Sequence, residues 1–168
     1  MQFRDLKTQY QKLKPQIDQA ISKVLMDANF ISGDQVRELE RQLAEYVDVK
    51  HCITCGSGTD ALTLALKALK VGADDAVFVP DFTFFASAET VALEGATPIF
   101  VDVEKETFNT SAESLRQTVD KVKAEGDLIP KAVIAVDLFG LPADYPKIRE
   151  ITDEYGLYLI EDGAQGFG

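Results

Sequence analysis

The sequence predicts an α/β fold, a three-layer α/β/α arrangement around a mostly parallel sheet. Two observations carry the prediction. From His51 onward short apolar segments alternate with stretches of helical periodicity, the pattern of repeated βα units. The chain, 168 residues with 46% hydrophobic and 27% charged content, is also long enough for one such domain with a sizeable core.

The elements follow in order. LKPQIDQAISKVLMDANF places Ile17, Ile21, Val24 and Leu25 at helical spacing. ISGDQVRELERQLAEYV then sets Ser32 three residues before Gln35, as in a capping box, and aligns Val36, Leu39, Leu43 and Val47 on one helical face. These two helices read as packing elements rather than sites. Strands are expected at HCITC, AVFVP, TPIFVDV, AVIAVDLFG and LYLIED. Helices are expected between them at DALTLALKALKVG, SAETVALEGA, SAESLRQTVDKVKAEG and DYPKIREITDEYG. Ligands of such sheets sit beyond the carboxyl ends of the strands, which directs attention to GSGTD, PDFTFF, VDVEK, DLFG and EDGAQ.

Charge and cysteine content exclude several functions. A net charge of −11 is unsuited to nucleic acid or to an anionic membrane surface. No apolar run reaches the length of a membrane span, and the first residues lack a signal-peptide core, so a cytoplasmic location is expected. Cys52 and Cys55 are the only cysteines and His51 the only histidine, too few ligands for a zinc site. A redox CxxC would open a helix, whereas CITC reads as a strand, so no metal or redox chemistry is assigned there.

Three stretches could carry chemistry. GSGTDALTLALKALKVG is a tight turn opening an apolar helix. Its glycines, the Ser57 and Thr59 hydroxyls and the free N–H groups of the helix end suit a phosphate, though the same residues also make a well-capped helix. It matches neither a Walker A loop nor the GxGxxG of dinucleotide-binding domains. Phe82, Phe84 and Phe85 follow a strand end, either as core or with one ring as a stacking platform. Glu161 and Asp162 end the last strand, and alternation lets only one of them face a given ligand. That carboxylate is either a solvated strand end or the partner of a cation such as a protonated ring nitrogen.

Taken in order, FISGDQVRELERQLAEYV, HCITCGSGTDALTLAL, VFVPDFTFFASAETVALEGATPIFVDV, DLFGLPADYPKI and LIEDGAQGFG resemble the DegT/DnrJ/EryC1/StrS family over essentially the whole chain. These are pyridoxal 5'-phosphate (PLP)-dependent aminotransferases of nucleotide-linked keto sugars. The resemblance implies the aspartate-aminotransferase type of fold. Residues 1–50 would be an N-terminal helical segment and 51–168 the N-terminal part of the large PLP-binding domain, with the small C-terminal domain absent. It implies a phosphate cup at Ser57, Gly58 and Thr59, and an aromatic ring stacked on the cofactor at Phe84. Asp162 would be the carboxylate paired with the ring nitrogen, and Gln165 would lie near the phenolic oxygen.

The family's activity would make the parent protein a transferase that moves an amino group from an amino acid such as glutamate to a keto sugar on a nucleotide. The cofactor alternates with its amine form, pyridoxamine phosphate (PMP). FRDLKTQY and CITCGSGTDAL resemble members acting on UDP-linked 3-keto hexuronates, in polysaccharide, glycan or antibiotic-sugar synthesis. A homodimer of the full-length protein is implied. Two departures stand out. Asp137 replaces a histidine common in relatives, a change expected to bear on substrate choice. The Schiff-base lysine of the family lies beyond EDGAQ, and no lysine here matches it, so no catalytic residue is assigned within this chain. The expectation is an N-terminal fragment, inactive alone and binding PLP weakly, in which HCITC lacks its sheet neighbour. A non-catalytic, ligand-binding regulatory member of the same fold is the alternative.

Overall fold

Four strands form, β1 (Asp75–Pro80), β2 (Thr97–Val101), β3 (Ile129–Val136) and β4 (Tyr158–Asp162), all parallel and in the order β2-β1-β3-β4. The structure is a computed structural model and describes residues 4–167. Its helices are α1 (Leu6–Asp27), α2 (Asp34–Tyr46), α3 (Gly58–Ala68), α4 (Ala86–Leu93), α5 (Ala112–Glu125) and α6 (Tyr145–Tyr155). The chain divides into two units between Thr54 and Cys55.

In the second unit, the two-residue alternation of the strands builds one core on each face of the sheet. Val77, Val79, Ile134 and Val136 point to one side, where they meet Leu62 and Leu66 of α3 and Val91 of α4. Ala76, Phe78, Val133 and Ala135 point to the other, against Leu115 and Val119 of α5 and Ile148 and Ile151 of α6. This is the three-layer arrangement expected. The helices start and stop where local chemistry allows. Ser111 and Asp144 cap α5 and α6 by accepting the N–H groups of Ser114 and Lys147, and Gly126 and Gly156 end them at φ +75° and +68°.

Strand order fixes where a ligand can sit. From β1 the chain crosses to β2 on one side through α4, then returns across β1 to β3 through α5. α4 packs on one face of the sheet and α5 and α6 on the other, so the connections diverge between β1 and β3. A crevice opens at such a switch point, outside the carboxyl ends of the strands.

The first unit holds α1 and α2. Asp5 caps α1, accepting the Thr8 N–H at 2.9 Å, and the helix runs through Pro15 rather than starting near it. The capping box expected at Ser32 and Gln35 does not form. Ser32 adopts φ +50°, and Gly33 takes the cap position without any side-chain hydrogen bond. Gly33 suits that place because a Cβ there would stand 2.8 Å from the Asn29 carbonyl oxygen.

The strand expected at HCITC is also absent. Residues 51–55 have no regular structure, and the sheet has four strands rather than five. A strand needs a neighbour to satisfy its backbone groups. Here the Thr54 N–H and hydroxyl both donate to Glu40 Oε1, at 2.9 and 2.8 Å. Among the described residues no helix is long and apolar enough to cross a membrane.

The backbone and hydroxyl hydrogen bonds from Thr54 hold the Glu40 carboxyl below its ordinary value of 4.5. A depressed acid favours the folded arrangement above the unfolded-state value and loses that contribution as pH falls through the folded one. The Thr54 amide proton shift is therefore expected to titrate with a midpoint below 4.5, and Glu40→Gln is expected to abolish the titration. Two-dimensional NMR between pH 2 and 7 checks both.

Candidate active site

The crevice at the switch point is a cleft of ≈ 240 Å³. The start of α3, the loop after β1, the end of β3 and the turn after β4 all contribute to it. Gly58, Thr59, Phe84, Asp162 and Gln165, singled out in the sequence, all line it. Ser57 does not line the cleft but shapes its edge. It is the N-cap of α3, and its Oγ accepts the Asp60 N–H at 3.1 Å. The N–H groups of Gly58 and Thr59 have no protein acceptor among the described residues. They project from the positive end of the helix, where an anion is stabilised.

The three phenylalanines after β1 are not core. Phe82, Phe84 and Phe85 are all exposed, Phe84 by 73%, and Phe84 alone of them lines the cleft. The two carboxylates at the end of β4 part company as alternation requires. Asp162 shares the face of Ile160 and borders the cleft, whereas Glu161 is absent from its lining.

Asp162 has no cationic partner among the described residues. Its Oδ2 accepts from the Ser87 hydroxyl at 3.3 Å and its Oδ1 from the Ala164 N–H at 3.3 Å. Ser87 lies in the first turn of α4, fully buried, and its Oγ is 3.2 Å from the Thr83 hydroxyl. These two hydroxyls were missed in the sequence. The signal available was a pair of hydroxyls four residues apart in PDFTFFASAE, where the chain turns from the end of β1 into α4.

Cys52 and Cys55 are free thiols, and among the described residues no group of three or more His, Cys, Asp or Glu side chains is arranged to hold a metal. Asp137, expected to bear on substrate choice, is only 3% exposed, so any such influence would act through the groups packed around it.

The model of the DegT/DnrJ/EryC1/StrS aminotransferase family matches residues 11–168. The chain belongs to this family. Among curated proteins it is 43% identical, over 168 residues, to UDP-2-acetamido-2-deoxy-3-oxo-D-glucuronate aminotransferase of Pseudomonas aeruginosa. The match takes in 100% of this chain and 45% of that protein, so the chain spans about half the length of this relative.

Among solved structures, a DegT DnrJ EryC1 StrS aminotransferase from Brucella abortus superposes with a TM-score of 0.97 at 47% identity, over 99% of this chain and 44% of that one. NtdA from Bacillus subtilis with bound cofactor PMP superposes with a TM-score of 0.83 at 31% identity, over 90% of this chain and 33% of that one. These likenesses make the fold that of the family's PLP aminotransferases, as the sequence motifs implied.

Within the family fold, the geometry of α3 depends on its cap. Ser57→Ala removes the acceptor for the Asp60 N–H and is expected to lower stability by about 1 kcal/mol. Ser57→Asp, which restores an acceptor, is expected to recover most of that loss. Urea unfolding of the two variants measures the difference.

Proposed function

We propose that this chain supplies the cofactor-binding wall of a PLP-dependent aminotransferase. The parent protein would transfer an amino group, with glutamate as donor, to a nucleotide-linked keto sugar of the UDP-3-keto hexuronate kind. The observation that carries the reading is the cleft. One crevice joins a helix N-terminus with two unpaired N–H groups, an exposed aromatic face and a carboxylate without a cation. The name of the Pseudomonas relative supports the sugar class, and the PMP-bound NtdA structure supports the cofactor.

The donor set fits the cofactor group by group. The unpaired N–H groups of Gly58 and Thr59 suit a phosphate. The Phe84 ring, exposed toward the cleft, suits a flat heteroaromatic face. The Asp162 carboxylate receives only neutral donors, and a cationic ring N–H would complete its shell. When bound, the cofactor supplies an electron sink for charge developing on the substrate carbon.

The chain's own residues bind and orient. Asp162 holds a proton on the ring nitrogen, and Ser87 and the Ala164 N–H keep its carboxylate turned toward the cleft. Leu62, Ala86, Val136 and Leu138 give the cleft apolar walls, which exclude water and strengthen that ion pair. Gln165 offers an amide donor at the rim.

The test is a transamination assay on the protein with the rest of its domain, supplied with glutamate and a UDP-linked 3-keto sugar. Formation of 2-oxoglutarate is expected only when both substrates are present. Asp162→Ala is expected to lower the rate by about a hundredfold or more, because it leaves the ring charge without its carboxylate partner. Phe84→Ala is expected to weaken PMP binding by about two- to tenfold. No 2-oxoglutarate from the wild type, or a fully active Asp162→Ala variant, would overturn the assignment.

A further inference from the structure

A carboxylate at the end of a buried strand needs donors to offset its lost hydration. Asp137 follows β3, and both of its donors come from the chain just ahead. Its Oδ1 accepts the Ala143 N–H at 3.0 Å and the Tyr145 hydroxyl at 2.7 Å. Residues 138–144 are thereby wrapped around the carboxylate. Burial, and then the hydrogen bond to Asp137, push the Tyr145 phenol well above its ordinary value of 10.0, so it remains a donor throughout the neutral range. Asn109 fixes the same loop from the other side. Its Oδ1 accepts the Leu138 N–H at 3.2 Å, and its Nδ2 donates to the carbonyls of Leu141 and Pro142 at 2.8 and 3.2 Å.

This loop meets the turn after β4 at closely fitted points. Gln165 Oε1 accepts the Phe139 N–H at 2.6 Å. A Cβ on Gly140, whose φ is +83°, would stand 2.9 Å from the Gln165 carbonyl oxygen, and one on Gly166 would stand 3.0 Å from Asp137 Cβ. Only glycine lets the two backbones come so near. The Asp137 N–H also donates to the Asp162 carbonyl at 3.1 Å, continuing the β3–β4 ladder to the residue that borders the cleft. Because the Phe139 N–H donates to Gln165 Oε1, that bond selects one of the two amide orientations of Gln165. The Gln165 NH2 group is the part left to donate elsewhere.

We propose that Asp137 and Tyr145 are positioning residues that fix the Phe139 N–H and, through it, the orientation in which Gln165 presents its amide nitrogen to the cleft. This rests on the cofactor reading above, with Gln165, the amide donor at the rim, serving the ring oxygen as the family resemblance implies. Asp137 thus acts from behind the site.

The purified protein and its Tyr145→Phe, Asp137→Asn and Gln165→Leu variants test this with two readouts. The first needs no cofactor. Amide exchange at Phe139 is expected to rise by about tenfold or more in Tyr145→Phe and Asp137→Asn, with Val133 and Ile134 in β3 unchanged. The second is the absorption spectrum of bound PMP, which reports the ring oxygen's hydrogen bonding. Gln165→Leu is expected to shift it, and Tyr145→Phe and Asp137→Asn to shift it the same way by a smaller amount. If Gln165→Leu shifts the spectrum while the other two leave both the spectrum and Phe139 exchange as in the wild type, the positioning role is wrong and the cofactor reading survives. If Gln165→Leu itself leaves the spectrum unchanged, the assignment of Gln165 to the ring oxygen fails, and this proposal with it.

Discussion

The pairing of β1 with β3 is the constraint on which the site depends. Those two strands are neighbours in the sheet but not in the chain, and the segments leaving their carboxyl ends turn to opposite faces. Neither segment can fill the space above the pair, so a crevice remains. The register of β3 with β4 then places Asp162 opposite Val136, at the floor of that crevice. The buried side chains on each face, Phe78 and Ile134 among them, hold these registers because a one-residue slip would turn each core toward the wrong face.

The electrostatics are economical for so acidic a chain. Among the described residues lining the cleft there is no lysine or arginine. Attraction for a phosphate therefore rests on main-chain groups at the start of α3, an effect of about 0.3–1 kcal/mol at exposed helix ends and up to about 2 where partly buried. Asp162 supplies the one carboxylate in the lining, and it receives only neutral donors from the protein. The two charges of opposite sense, a helix end and a carboxylate, sit on one cleft and favour a ligand that is anionic at one end and cationic at the other.

The parallel sheet and its helices could be read from the sequence because period-two and helical patterns are local. β1 to β4 and α3 to α6 lie where the apolar segments and their capping residues put them. HCITC has the local pattern of a strand but forms none, because a strand is made by its neighbour, and the neighbour that the family resemblance implied to be missing is not in the four-stranded sheet. The Ser32–Gln35 box failed for a similar reason, since spacing does not show that Ser32 adopts a left-handed conformation. The cleft residues Gly58, Thr59, Phe84, Asp162 and Gln165 were recognisable by family resemblance. Ser87, Thr83 and the inward turn of Asp137 were not, because long-range hydrogen bonds such as that from Ser87 to Asp162 leave no periodic trace.

The most direct measurement is an NMR titration of the isotope-labelled protein with PMP. The amide signals of Gly58, Thr59, Phe84, Asp162 and Gln165 are expected to move together along one saturating curve. Those of Glu113, Arg116 and Glu150, which line a separate hollow of ≈ 350 Å³, should stay in place. Shifts centred on that second hollow, or none at the start of α3, would contradict the assignment of the switch-point cleft as the cofactor site.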